Sequence, residues 1–300
     1  MRIVEMFDVS STAAKAFVDA SESDFQNRLT EVSRQIVRDD HVECIMLSGP
    51  TCSGKTTMAA KLTREITAAG KRAVVLSIDD FFKEHAAMKR VGDQVDYDSI
   101  DAIDLPYFAE CVNKMLRDEN TPLPRFDFIT GTRLEGNPYL HTPDDIIIFE
   151  GIQAVYPEVL ALFEGYSFKS LSIAVRETLS VNGAVFAPEE IRLARRIVRD
   201  YKFRSASPEF TFHIWRGVRE NEEKNITPYL DTCDYCIDSL MPYEPFMISP
   251  FLIPLLESIP AGSRYYSEAK TFREKFCAVE NFPISSDLLP DNSLYREFLG

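Results

Sequence analysis

The sequence lacks any long apolar run, and no stretch approaches the roughly 18 uncharged apolar residues that a membrane-spanning helix needs. The first residues, Met1–Asp8, break their short apolar run with charges, which is not typical of a signal peptide. Six cysteines are scattered along 300 residues, so we expect reduced thiols rather than a disulfide framework. These absences predict a cytoplasmic protein with no membrane partner.

Positive charge is also scarce. The chain has 33 lysines and arginines against 47 acidic residues, a formal net charge of −14. Nucleic acids select proteins with broad basic faces, so we expect no nucleic-acid partner, and any anion site must be local. Cys233 and Cys236 have the spacing of half a zinc site, but no second ligand pair lies nearby, and we interpret them as structural.

What the sequence does contain is an alternation of strand and helix patterns. Residues 24–39 carry apolar side chains at helical spacing, and Cys44–Ser48 is a short apolar run typical of a strand covered on both faces. A helix is predicted over Met58–Ala69, with Gly70 as its C-cap. Further strands are predicted at Ala73–Ile78, Asp145–Gly151, Leu171–Val175 and Tyr235–Ile237, helices at Pro106–Arg117, Pro188–Asp200 and Ser267–Ala278, and a proline-rich turn region at Thr121–Pro124.

This alternation predicts an α/β fold with a doubly wound, mostly parallel sheet. The composition changes after Pro242 and Pro245 to proline-punctuated segments. We therefore expect an N-terminal helical extension over 1–40, a central domain over 41–245 and a C-terminal helical extension over 246–300.

A glycine-containing segment follows the first strand of this sheet. Residues 49–57 fit the G-x-x-x-x-G-K-[ST] pattern of a phosphate loop and lie between a predicted strand and a predicted helix. In such a loop, backbone N–H groups and the helix N-terminus point at phosphates. The expected nucleotide-binding residues are Gly49, Thr51, Cys52, Ser53, Gly54, Lys55, Thr56 and Thr57. Lys55 would add a catalytic cation, and the Thr56 hydroxyl can ligate Mg²⁺; the alternative is a structural turn that binds nothing.

Carboxylates follow two of the predicted strands. Asp79 comes after the second strand and Glu150 ends the third, where an open α/β sheet binds its ligands. Phosphoryl transfer needs a group that accepts a proton and a metal that neutralises charge. We assign Asp79 as the general base, close to the metal, and place Glu150 and Thr56 around Mg²⁺, directly or through water. The alternatives are helix capping by Asp79 or Asp80 and a surface charge at Glu150.

A stripe of four arginines occupies the predicted helix after the fourth strand, and Arg204 lies just beyond it. Their i, i+3, i+4 and i+7 spacing puts the guanidinium groups on one face, formed by Arg192, Arg195, Arg196 and Arg199. One interpretation is a helical lid that closes over ATP and stabilises charge on the transferred group. The other is a solvated face paired with Glu189, Glu190 and Asp200.

In this order of motifs the chain resembles the uridine kinase family. The segments that carry the resemblance are Gly49–Thr57, Ile78–Phe82, Tyr97–Asp98, Arg125–Phe128, Phe149–Ile152 and Arg195–Asp200. The likeness spans about residues 43–245. The tail, Leu289–Phe298, resembles the end of longer bacterial uridine kinase-like proteins.

The resemblance implies an ATP- and Mg²⁺-dependent kinase and gives roles to individual residues. Asp79 would activate a ribose 5′-hydroxyl, while Asp98 and Arg196 would hold the other ribose hydroxyls. Arg199, as a catalytic residue, and Arg204 would belong to a lid that faces the phosphates.

The chain departs from the family where the acceptor would bind. Phe126 stands where pyrimidine-reading members have a tyrosine, Gly131 stands where they have a histidine, and Phe82 alters a third substrate-contacting aromatic. Phe126 can still stack on a base or sugar, but a pocket without polar partners discriminates weakly.

These observations leave three alternative hypotheses for the function. The first is an ATP:nucleoside 5′-phosphotransferase of the uridine-cytidine type. The second is a kinase of the same fold, similar to phosphoribulokinase or pantothenate kinase, that acts on another hydroxylated metabolite. The third is a nucleotide-binding regulator, for which Asp79 together with an arginine lid would be unnecessary. Self-association into a homo-oligomer is left open.

Overall fold

The computed structural model describes residues 1–4, 11–91, 94–97, 99–117, 120–142, 144–279 and 282–300. The helices of this part of the chain are α1 (Ser11–Arg38), α2 (Lys55–Ala68), α3 (Leu105–Met115), α4 (Pro157–Leu160), α5 (Pro188–Arg204), α6 (Pro208–Asn225), α7 (Thr227–Leu230), α8 (Glu244–Glu257), α9 (Tyr266–Phe276) and α10 (Arg296–Leu299). The strands are β1 (Arg2–Val4), β2 (Cys44–Ser48), β3 (Arg72–Ser77), β4 (Arg90–Val91), β5 (Gln94–Val95), β6 (Thr121–Asp127), β7 (Thr132–Tyr139), β8 (Asp145–Glu150), β9 (Phe168–Ala174), β10 (Leu179–Val181), β11 (Ala184–Phe186) and β12 (Tyr235–Asp238).

The central sheet runs in the order β12, β9, β2, β8, β3, and every neighbouring pair in it is parallel. The chain starts in the middle at β2, moves to β3 and β8 on one side, and then crosses to β9 and β12 on the other. This reversal is the switch point of a doubly wound sheet, at which ligands bind. The predicted α/β fold is confirmed.

Strands β2 and β8 send alternate side chains into two separate hydrophobic cores. In β2, Ile45 and Leu47 belong to a cluster shared with α1, α2, α5 and the C-terminal helices, whereas Cys44 and Met46 join a second cluster around Phe108 of α3. All five side chains of β2 are fully buried. Since consecutive strand residues point to opposite faces, a continuous apolar run fits a strand covered on both sides.

The N-terminal and C-terminal helices pack on the face of the sheet that carries Ile45 and Leu47. Phe25, Leu29 and Ile36 of α1 are fully buried in that cluster, as the predicted helical spacing requires. Helix α8 crosses the expected boundary near residue 245, and the division into three segments stays a prediction. No helix of the described residues combines the length and the apolar character needed to cross a bilayer.

Two proline-containing segments differ from expectation. Thr121–Pro124 is not a turn but the start of β6, which pairs with β7 in a two-stranded hairpin outside the central sheet, with an irregular register between Pro122 and Pro124. Prolines are tolerated there because a strand of such a hairpin has a free edge. Helix α8 contains Pro250 and Pro254 in its interior, and the burial of its apolar side chains offsets the missing N–H donors.

Candidate active site

The register of the central sheet brings the expected site residues to one edge. Leu47 of β2 and Ser77 of β3 both pair with Glu150, the last residue of β8. The phosphate loop starts at Gly49, two residues beyond Leu47, and Asp79 lies two residues beyond Ser77. Loop, Asp79 and Glu150 therefore share the carboxyl edge of three adjacent strands.

The backbone of the loop adopts the left-handed conformation that glycine favours, at Gly54 and also at Cys52. Cys52 and Gly54 have positive φ angles of 57° and 93°, and α2 begins directly afterwards at Lys55, with Gly54 as its N-cap residue and no side-chain cap. A Cβ at Gly49 would lie 2.0 Å from the carbonyl oxygen of Ile173, so only glycine fits. The first turn of α2 thus presents backbone N–H groups toward the inside of the loop.

Polar side chains from α5 and α6 anchor this loop from behind. Glu222 accepts a hydrogen bond from the Thr51 N–H (3.1 Å), and Arg192 donates to the Thr51 carbonyl (3.0 Å). Arg195 donates to the Cys52 carbonyl at 3.0 Å. Because these bonds fix peptide groups on the outer side of the loop, the cradle for phosphates is preorganised.

Arg192 and Arg195 are themselves held in buried ion pairs. Arg192 contacts both oxygens of Glu222 at 2.7 and 2.8 Å, and Arg195 Nε lies 2.8 Å from Glu244. Burial lowers the pKa of Arg195, but Glu244 more than offsets it, so the pKa is raised and the guanidinium stays charged. A solvated face is therefore wrong for these two arginines, which lock α5 to the loop.

The other arginines of α5 gather around Asp200, which is buried. Arg196 Nε lies 3.2 Å from Asp200 and its Nη1 lies 3.5 Å from the Thr51 hydroxyl. Arg199 Nε donates to Asp200 at 2.9 Å, and Arg204 Nε is 3.7 Å away from the same carboxylate. Asp200, an expected partner, thus holds three cations at the end of α5.

The two consecutive aspartates after β3 have different surroundings. Asp80 accepts a hydrogen bond from the backbone N–H of Phe126 at 3.0 Å, which ties the β6 hairpin to this edge, and burial raises its pKa. Asp79 lies beside it in a short 3₁₀ helix, Ile78–Phe81, and is only partly buried. The structural role of Asp80 leaves Asp79 as the candidate base.

Glu150 is the buried carboxylate of the site. Burial raises its pKa, the charge of Lys55 opposes that rise, and the negative charges of Glu297 and Asp80 add to it. Among the described residues, no three His, Cys, Asp or Glu side chains form a preformed metal cluster. Mg²⁺ in phosphoryl-transfer sites takes many of its ligands from phosphates and water, so Glu150 with the exposed Thr56 fits such an ion.

Aromatic rings fill the adjacent region. Phe82 lies 5.3 Å from Tyr97 and 5.6 Å from Phe126 between ring centroids. The His85 ring occupies the space beside Gly131, where an added Cβ would come within 1.9 Å of it, and His85 Nε2 hydrogen bonds with the Tyr97 hydroxyl. Asp98, the expected ribose-binding residue that follows Tyr97, lies outside the described residues.

The end of the chain reaches the phosphate loop. Glu297 of α10 accepts hydrogen bonds from the Thr57 hydroxyl (2.9 Å) and the Thr57 N–H (3.4 Å). The Leu294 side chain covers Gly54, since an added Cβ there would lie 2.7 Å from it. The tail is thus part of the site.

Sequence reasoning missed Glu222, Glu244, Glu297 and His85. Each is 12 or more residues from its partner, and the Thr57–Glu297 contact joins positions 240 residues apart. No local spacing signals such pairs. The acidic residues are among 47 of their kind, so composition does not single them out either.

A phosphate loop at the switch point of a doubly wound sheet, with carboxylates after the two neighbouring strands, defines a P-loop phosphotransferase. A profile of the Phosphoribulokinase / Uridine kinase family matches residues 44–243. The chain belongs to this family, and the resemblance seen in its motifs is confirmed. It is a kinase that acts on a small molecule.

Individual relatives align with part of the chain. It is 29% identical to the uridine kinase of Lactobacillus helveticus over 178 residues, which cover 58% of this chain and 75% of that protein. It is 30% identical to the uridine kinase of Leuconostoc citreum over 159 residues, 52% of this chain and 67% of that one. The structure of a possible uridine kinase from Bacillus stearothermophilus shows 20% identity and a TM-score of 0.41, covering 50% of this chain and 80% of that one.

Proposed function

We propose that this kinase transfers the γ-phosphoryl group of ATP, with Mg²⁺, to the 5′-hydroxyl of a nucleoside. The observation that carries the proposal is the common edge of the sheet, where the loop, Asp79 and Glu150 meet beside an aromatic cluster. Uridine kinases among its relatives support the nucleoside as acceptor.

The arrangement supplies what phosphoryl transfer needs. The acceptor oxygen attacks the γ-phosphorus while the bond to the β–γ bridging oxygen breaks, and Asp79 takes the hydroxyl proton. Lys55 and the loop N–H groups would neutralise the phosphates, with Mg²⁺ held by Thr56 and Glu150. Arg199, fixed by Asp200, would face the transferred group.

We expect an acceptor with a flat ring to bind beside the aromatic cluster of Phe82, Tyr97 and Phe126, because aromatic faces stack on bases. Phe82 and Phe126 are buried, so Tyr97 is the partly exposed ring of this cluster. Phe126 and Gly131 carry no hydrogen-bonding side chain, but the His85 ring beside Gly131 and the Tyr97 hydroxyl add two polar groups to the same cluster. We assign this pair to the polar edge of the base. The ribose roles of Asp98 and Arg196 are part of this proposal.

A kinase of another hydroxylated metabolite is the second candidate. It is favoured by Phe126, which has no hydroxyl where pyrimidine-reading members have a tyrosine. Such a pocket accepts isosteric acceptors with little discrimination.

An acceptor panel tests the proposal. The protein would be incubated with Mg-ATP and uridine, cytidine, adenosine, guanosine, inosine, ribulose 5-phosphate or pantothenate, and ADP release and product mass would be followed. We expect phosphorylation of a nucleoside, with uridine or cytidine first. Transfer to ribulose 5-phosphate or pantothenate alone would support the second candidate, and ATP binding without any transfer would support the regulator.

A further inference from the structure

The carboxyl-terminal segment, residues 293–300, places a carboxylate against Thr57, at the end of the phosphate loop and in the first turn of α2. Glu297 Oε2 lies 2.9 Å from Thr57 Oγ1 and 3.4 Å from Thr57 N. Thr57 belongs to the first turn of α2, a helix of 14 residues. The N–H groups of that turn have no partner within the helix and form the anion cradle. A carboxylate at this N–H and hydroxyl makes the contact that a nucleotide phosphate would make.

Two electrostatic contributions and one steric contact place this segment beside the residues of the candidate site. The charge of Glu297 contributes to the raised pKa of Glu150 and of Arg199, so it is close to both the candidate metal ligand and the candidate lid arginine. Leu294, from the same segment, covers Gly54 of the loop. The segment therefore contacts the end of the phosphate loop, at Gly54 and Thr57.

The segment cannot leave the site without disturbing the core. Its apolar side chains are buried, and Arg195 lies 4.9 Å from the centre of the Phe298 ring. Lys202 of α5 donates to the Leu299 carbonyl, and Ser293 donates to the buried Glu22. Glu297 itself is only partly buried, so its side chain can turn while the backbone stays.

We propose that Glu297 holds the position of a nucleotide phosphate, and that ATP binds only when this carboxylate turns away from Thr57. The segment is then a wall of the nucleotide site, and Glu297 is a residue that sets nucleotide affinity. A carboxylate left beside the triphosphate opposes binding by charge repulsion. This inference rests on the proposed ATP site but not on the identity of the acceptor.

The proposal is tested by measuring the Kd for ATP of the full chain in the absence of an acceptor. Glu297→Gln keeps the size of the side chain and one acceptor oxygen but removes its charge. We expect this variant to bind ATP about tenfold more tightly than the wild type, with a difference that shrinks as salt screens the repulsion. Asp291→Asn is the control, because Asp291 is an exposed acid near the same end of the chain and its replacement should leave the affinity unchanged.

A second variant separates charge from packing. Glu297→Ala also removes the carboxylate, and thermal unfolding shows whether it and Glu297→Gln remain folded. Tighter ATP binding by both folded variants supports the proposal. Equal or weaker binding overturns it and leaves the kinase assignment in place, whereas no ATP binding by the wild type or any variant would contradict the nucleotide site as well.

Discussion

At the scale of single residues, the buried carboxylate of Glu150 lowers the stability of the folded protein. It is buried at a strand end, and that burial raises its pKa above the ordinary value of 4.5. Residues kept for function in this way usually lower stability. We expect Glu150→Gln to raise the free energy of unfolding of the metal-free protein at neutral pH and to lower kcat at least tenfold, because the substitution removes the proposed Mg²⁺ ligand.

The raised pKa of Glu150 also predicts how the stability difference between Glu150→Gln and the wild type changes with pH. A group whose pKa is raised on folding stabilises the folded state below its unfolded pKa, and this contribution is lost as the pH rises through the folded pKa. The advantage of Glu150→Gln over the wild type should therefore grow from pH 5 to pH 8. Urea unfolding at both pH values measures it, and the exposed Glu158→Gln should show no such trend. A less stable Gln variant at pH 8 would contradict the account.

At the scale of elements, α5 serves as the support of the loop. Arg195 is fully buried, pairs with Glu244 and donates to the Cys52 carbonyl. Removing one partner of a buried pair leaves the other charge unpaired, so we expect Arg195→Ala to lower the free energy of unfolding by about 3–5 kcal/mol. Arg216→Ala on α6 is the control, because its pair with Glu220 is exposed and should contribute no more than about 0.5 kcal/mol. Chemical denaturation measures both, and equal losses would contradict this role of Arg195.

The elements that could be predicted from sequence are those with a local signal. β2 and the centre of β8 are short apolar runs of strand length, which is typical of strands covered on both faces. α2 follows from the phosphate loop and ends near Gly70, whose φ is 93°. β6 and α8 could not be predicted, because their prolines have the local preferences of turns and only tertiary pairing and burial overcome them.

The same distinction applies to the site. Asp79 and Glu150 could be found because strand ends meet at one edge of a parallel sheet. Glu222, Glu244 and Glu297 could not, because each meets its partner only through the packing of helices far apart in the chain.

At the scale of the whole molecule, a strongly acidic chain builds a local anion site. The net charge of −14 opposes any nucleotide, yet Lys55, the arginines of α5 and the start of α2 converge on the loop. The two ends of the chain contribute as well, since Ser293 bonds to Glu22 of α1 beneath the segment that reaches the loop. The phosphate loop is therefore held by α5 and by the carboxyl-terminal segment, which are far apart in the sequence.

The assignment of Asp79 as the base of phosphoryl transfer is the central claim. Its most direct test compares Asp79→Asn with the wild type, measuring kcat with the best acceptor of the panel and, separately, the Kd for ATP. Asp80→Asn is the control, since Asp80 bonds to the Phe126 backbone. The account predicts a fall in kcat of about 10² or more with nearly unchanged ATP affinity for Asp79→Asn, and a much smaller fall for Asp80→Asn. Wild-type kcat in folded Asp79→Asn would contradict it.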